Sequence, residues 1–360
     1  VIALYSPSIP PVRGGIADHT AALARALHRE GVTPLVLAQR GSPASVAPVP
    51  ARIGVVPRDI AEVVHPTAHR WLLLQFAPFL YGRRGLAPSL CRAVARSLSR
   101  GHSIALLVHE PWVPFSRLPW LVTGWPMRWQ LRFLVRQADR VFTPVPAWTR
   151  RLEAWRTRGA AVATVPIGAT LPTSELTRAA ARAALGLDDG MVAIGLFGTS
   201  ASGYSVAHAR AAADALRGRA DVVWVRLGYG SERPAPRWLA GHHVRRVPGT
   251  DAAAVSDAMR ALDLALAPFV DGLTLRRTSA MLALAHAIPV VSTTGPLFDP
   301  EAGRLAVCEG SPEAFGERVV QLVGDPRARA AAAARTMDFE ASASVTALAR
   351  RLLTALREEP

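Results

Sequence analysis

The stretch Ala267–Gly295, APFVDGLTLRRTSAMLALAHAIPVVSTTG, decides how the fold reads. An apolar run ends at an Asp-Gly-Leu-Thr turn, an alanine-rich helix follows, and IPVVST reads as another strand. Strand, turn, helix, strand is the repeating unit of a parallel sheet, because parallel neighbours need a crossover long enough to hold a helix. Arg276 and Arg277 read as the first turn of that helix. A helix N-terminus is the positive end of the dipole and favours acids. Two arginines there imply a negative partner, and the sequence reading assigns that partner to a ligand.

The same alternation extends in both directions. VIALYS, TPLVLAQ, RWLLLQF, SIALLVHE, ADRVFTPV and AAVATVPIG read as strands of a first half, with helices over 16–31 and 88–101. Pro166, Gly168 and Pro172 then interrupt the pattern, which restarts with MVAIGLFG, DVVWVRLG, HHVRRVPG and LDLALAPF. Continuous apolar strands between helices predict sheets covered on both faces. The expected class is α/β, with two doubly wound Rossmann-like domains facing a cleft. The expected spans are 1–170, 171–340 and a C-terminal helix over 341–360 that packs back on the first domain. Ligands of such sheets bind at the carboxyl ends of the strands.

Half of the residues are hydrophobic and 19% are charged, a globular composition. All 42 basic side chains are arginine, and the net charge is +15. Such a surface favours anionic partners. No nucleic-acid-binding module is recognisable, which argues against that class. Cys91 and Cys308 form neither a zinc spacing nor a disulfide framework, which fits a reducing cytoplasm. The chain opens directly into a strand-like run with no signal-peptide pattern, and its longest apolar run, residues 71–82, is broken by Gln75 and Pro78. The segment 112–136 mixes Trp112, Trp120, Trp125 and Trp129 with Arg117, Arg128, Arg132 and Arg136. That mixture suits an anionic membrane surface, a sugar-stacking groove or a core helix with a basic outer face. The expected location is the cytoplasm, with room for a peripheral place on the inner membrane face.

Four loops could carry chemistry. Gly14-Gly15 precedes a helix and could let a ligand approach the backbone, or be only a turn. His109 and Glu110 end a buried strand, where ligands meet such sheets, although a lone histidine is more often structural. Gly198, Thr199, Ser200 and Ser202 follow a strand and could offer N–H and hydroxyl groups to phosphate, or merely connect strand to helix. The Asp271-Gly272-Leu273-Thr274 turn could direct backbone N–H groups from 272 to 275 at a diphosphate. Arg276 and Arg277 would add forked contacts, unless they are a solvated pair.

Taken in order, these pieces resemble the retaining glycosyltransferases of family 4, which have the GT-B fold. PPVRGGIADHTAALARALHREGVTPLVL is similar to that family's N-terminal glycine loop, helix and second strand. LLVHE is similar to the strand ending in its active-site histidine, and IGLFG to the first strand of its donor domain. The opening stretch resembles the donor-domain signature. The resemblance implies transfer of a sugar from a nucleotide-diphospho-sugar to an acceptor hydroxyl with retained configuration, and no cofactor or metal besides that donor. It implies His109 and Asp271 at the sugar. It places Gly14, Gly15, Gly198, Thr199, Gly272, Leu273, Thr274, Arg276, Arg277 and Ser279 around the donor, and it suggests Asp18, Glu110 and Trp112 on the acceptor side.

Two departures keep alternatives open. The family signature usually has Glu, seven residues, then Glu; here Asp271 and Ser279 occupy those places. Many members also carry bases in the loop after the first donor-domain strand, and GTSASGYS has none. Arg276 or Arg277 would restore that charge. Otherwise the chain is a non-catalytic GT-B-like binding or partner protein with a degenerate donor site, or another nucleotide-sugar enzyme such as an epimerase.

Overall fold

Two parallel sheets organise the chain, one of seven strands and one of six. The computed structural model describes residues 2–82, 84–113, 118–197, 203–228, 230–249 and 251–357. Contacts divide the chain into two compact units. The first is Val1–Ile167 together with Val345–Pro360, and the second is Gly168–Ser344.

The first unit holds β1 (Ile2–Ser8), β2 (Leu35–Arg40), β3 (Ala51–Ile53), β4 (Trp71–Phe76), β5 (Ser103–Val108), β6 (Arg140–Thr143) and β7 (Ala163–Thr164). Their order is β3-β2-β1-β4-β5-β6-β7, and every pairing is parallel. All six residues of β4 are buried, as expected of a strand covered on both faces. The run AAVATVPIG yields only the two-residue β7, because its flanking residues leave the ladder. On one face the helix Gly15–Arg29 buries Leu23 and Leu27 against Leu348, Leu352 and Leu356 of the helix Val345–Arg357. Those three leucines recur every fourth residue and share one helix face. Each such side chain contributes about 1.5–3 kcal/mol of burial before conformational entropy is subtracted. The last helix is also tied by Trp71 Nε1 donating to Leu356 O at 2.9 Å and Arg140 Nε donating to Ala355 O at 3.0 Å.

The second unit holds β8 (Val192–Phe197), β9 (Val222–Gly228), β10 (His243–Pro248), β11 (Leu264–Ala267), β12 (Val290–Thr293) and β13 (Val307–Glu309). Their order is β10-β9-β8-β11-β12-β13, again all parallel. Each sheet therefore winds outward from its first strand in one direction and then reverses. The reversal lies between β1 and β4 in the first sheet and between β8 and β11 in the second. The loops that leave the carboxyl ends of these strands part at those points, which opens a crevice for ligands.

Candidate functional site

In the first unit the reversal brings together a helix residue, a strand residue and a loop residue. His19 is on the helix after β1, Gln75 is in β4, and His109 follows β5. All three are buried. Gln75 Oε1 lies 2.7 Å from His109 Nε2 and 2.9 Å from His19 Nδ1. An amide oxygen only accepts, so both imidazoles must donate to it. The rest of the chain of bonds agrees: Gln75 Nε2 donates to Thr20 Oγ1 at 2.5 Å, and Thr20 gives its own hydroxyl hydrogen to Ile16 O at 2.6 Å. His109 is thereby held as the neutral Nε2–H tautomer, with a lone pair on Nδ1. Burial, and then the neighbouring His19, hold its pKa well below the ordinary histidine value. Burial lowers His19 to about 4 against the opposing effect of Gln75. Tyr81 Oη donates to Gln75 O at 2.5 Å and fastens the next loop to the same strand. His19, Thr20, Gln75 and Tyr81 escaped the sequence reading, because Gln75 lies inside an apolar run and nothing local marks His19.

Gly14 precedes the helix at the place of its N-cap, and no side chain caps that end. A Cβ on either Gly14 or Gly15 would meet nothing within 4 Å. At Gly15 nothing within the chain therefore demands glycine, whereas Gly14 has a positive φ of +157° that favours it. Asp18 is half-buried one turn on, and burial holds its carboxyl above the usual value. Glu110 is exposed, beside the buried His109. The rings of Trp112 and Trp155 are tilted by 56°, with centroids 5.7 Å apart. Arg128 and Arg151 lie over it at 5.4 and 5.6 Å.

In the second unit the Asp271 turn follows β11 at the reversal point, and the expectation for its arginines needs correction. The helix begins at Thr278, so Arg276 and Arg277 precede it rather than forming its first turn. Their negative partner lies in the chain itself. Asp271 Oδ2 accepts from Arg276 Nη2 at 2.5 Å, and Asp271 Oδ1 accepts from Arg277 Nη2. One carboxylate thus faces two guanidinium groups. All three side chains are partly buried, where screening is weaker than at an open surface. Arg277 also lies over the Phe269 ring at 4.3 Å, within cation–π range.

The turn's backbone is constrained. Gly272 has φ +88°, and a Cβ there would sit 2.8 Å from Gly295 N. The expectation that N–H groups from 272 onward face a ligand fails at two positions. Gly272 N donates to Phe269 O at 3.1 Å and Leu273 N to Thr293 O at 2.9 Å, because the turn is laced onto its neighbours. Leu273 and Thr274 are fully buried, so their side chains do not reach the surface. Ser279 is half-buried and lines a narrow, mostly apolar crevice with Phe197 and Leu227. Gly198 and Thr199 lie outside the described residues. The far end of their loop is described. Tyr204 bridges Phe269, and Val270 N donates to Gly203 O at 2.8 Å. A Cβ on Gly203 would lie 3.4 Å from Arg277 Nη2. Arg277 thus stands beside a loop that has no base of its own. Among the described residues no three His, Cys, Asp or Glu side chains group as metal ligands.

No family model matches the chain, and no curated protein does. Solved structures do. Sucrose-phosphate synthase from Thermosynechococcus elongatus is 14% identical with TM-score 0.64, over 99% of this chain and 98% of that one. HepE from Anabaena, in complex with UDP-glucose, is 14% identical with TM-score 0.64 over 99% of both chains. The N-terminal domain of trehalose-6-phosphate phosphatase from Candida albicans is 13% identical with TM-score 0.65, over 99% and 96%. The chain has the GT-B fold. At these identities the likeness is one of fold, and the names of the three proteins already span more than one activity.

Proposed function

We propose that this chain is a glycosyltransferase. It moves a sugar from a nucleotide-diphospho-sugar to an acceptor hydroxyl with retention of anomeric configuration. The observation that carries this reading is the Asp271–Arg276–Arg277 cluster at the reversal point of the second sheet, with Arg277 against the base-free loop after β8. The two arginines sit where ligands of such sheets bind, and arginine forks match diphosphate oxygens.

In the reaction proposed, the acceptor oxygen bonds to the anomeric carbon on the face from which the diphosphate leaves. The carbon–phosphate oxygen bond breaks, and that departing oxygen takes the acceptor proton. The protein needs no nucleophile of its own. It must stabilise the charge growing on the diphosphate, a task for preorganised cations. Arg276 and Arg277 take that role in place of a metal, with one of them exchanging Asp271 for phosphate. The sugar is held by Asp271 and by the neutral imidazole of His109, whose Nδ1 lone pair accepts a hydroxyl hydrogen. In this reading Gly14 and Gly15 of the first unit serve the donor, and Asp18, Glu110 and Trp112 serve the acceptor.

UDP-glucose, the ligand of HepE, is the first donor to test. Calorimetry of UDP, GDP, ADP and dTDP, with the Arg276→Ala/Arg277→Ala variant as control, decides the donor class. Binding of one nucleotide that the variant loses supports the reading. The pairing of Asp271 with both arginines and the serine at 279 favour a second reading, a binding protein with a degenerate donor site. Well-folded protein that binds none of the four nucleotides selects it.

A further inference from the structure

The helix Leu118–Gln137 is apolar on two sides. Its inner side buries Leu131, Leu134 and Val135 in the core of the first unit. Its outer side exposes Val122 (76%), Trp125 (62%), Trp129 (77%) and Phe133 (37%). These positions are spaced three, four and four residues apart, a single stripe along the helix. Among the described residues ten large hydrophobic side chains are exposed, and four of them stand on this stripe. Leu86, also exposed, belongs to the loop that packs Gly85 on Met127 of the same helix. Scattered exposed apolar residues need no explanation, but a contiguous stripe marks an interaction surface.

The helix that bears the stripe carries only basic charge. Between positions 63 and 138 the sequence has ten arginines and one acid, Glu110. Arg84, Arg132 and Arg136 are exposed on or beside the helix, which itself contains no acid. We propose that this face docks the protein on an anionic lipid surface, with Trp125 and Trp129 seated at the headgroup level and the arginines on lipid phosphates. Tryptophan suits that level because its ring is apolar and its N–H is polar. A second copy of the chain is a poorer occupant. In a two-fold contact the same arginines would face one another with no acid between them. Docking is independent of the sugar-transfer reading and would fit a membrane-borne acceptor.

The test is sedimentation with vesicles of phosphatidylcholine alone, or with about one third phosphatidylglycerol. Wild type is compared with Trp125→Ser/Trp129→Ser and with Arg132→Glu/Arg136→Glu. Unchanged melting temperature and circular dichroism establish that each variant is folded. The expected result is that wild type sediments with the anionic vesicles and that raised salt weakens this. Each double variant should then bind them at least roughly tenfold more weakly. The proposal is overturned if wild type does not sediment with anionic vesicles, or if the tryptophan variant binds as tightly as wild type. It is also overturned if the substitutions instead convert a dimer to a monomer by light scattering.

Discussion

His19 and His109 meet edge to face, ring centroids 4.7 Å apart and planes at 82°, and both donate to the oxygen of Gln75. Each is lowered in pKa, so the folded state keeps both neutral where the unfolded chain would bind protons. Their contribution to stability is full above the unfolded value near 6.5. It is lost as pH falls toward about 4, where His19 titrates in the fold. For His19 alone the loss is on the order of 3 kcal/mol. His19→Asn can keep the bond to Gln75 without the titration. Its melting temperature should therefore fall less than that of wild type between pH 6.5 and 4.5, as followed by circular dichroism. Equal slopes for the two proteins would refute the assignment.

His109→Ala tests the sugar contact apart from nucleotide binding. Transfer should drop at least about a hundredfold, with UDP affinity within about twofold of wild type. Gln75→Leu should resemble it in activity. It should also cost about 2–4 kcal/mol of stability, because three buried polar groups lose their partner. Rates and calorimetric affinities on the same preparations check both statements.

Asp271→Asn separates two roles of one side chain. The aspartate competes with diphosphate for Arg276 and Arg277, so its neutralisation should tighten UDP binding about three- to tenfold. Transfer should fall, because the carboxylate that holds the sugar is gone. Weaker UDP binding in the variant would mean that Asp271 organises the arginines rather than competing for them.

Two glycines should respond in opposite ways. Gly272→Ala forces a side chain into a left-handed conformation and against the Gly295 backbone, and should cost about 2–4 kcal/mol. Gly15→Ala meets open space at the start of a helix and should leave the melting temperature equal or slightly higher. If a substrate approaches the backbone there, Gly15→Ala still lowers kcat/KM about tenfold or more. Thermal melts and steady-state rates together distinguish the two positions.

What the sequence by itself determined was the fold class and the strand that precedes each candidate loop. Alternating apolar runs and amphipathic helices are local signals, and RWLLLQF or DVVWVRLG could hardly be anything but buried parallel strands. The placement of His109 directly after β5 and of Asp271 in the loop after β11 was also legible, since both follow such runs. The partners of these residues were not. Gln75 is 56 residues from His19 and 34 from His109, and only the order of β1, β4 and β5 brings the three together. The pairing of Asp271 with Arg276 and Arg277 fits neither helical nor strand spacing. It arises because Gly272, pressed against Gly295, turns the chain back on itself. Hydrophobic periodicity records which faces are buried, whereas hydrogen bonds and ion pairs between distant segments exist only once the sheet order has set their distances.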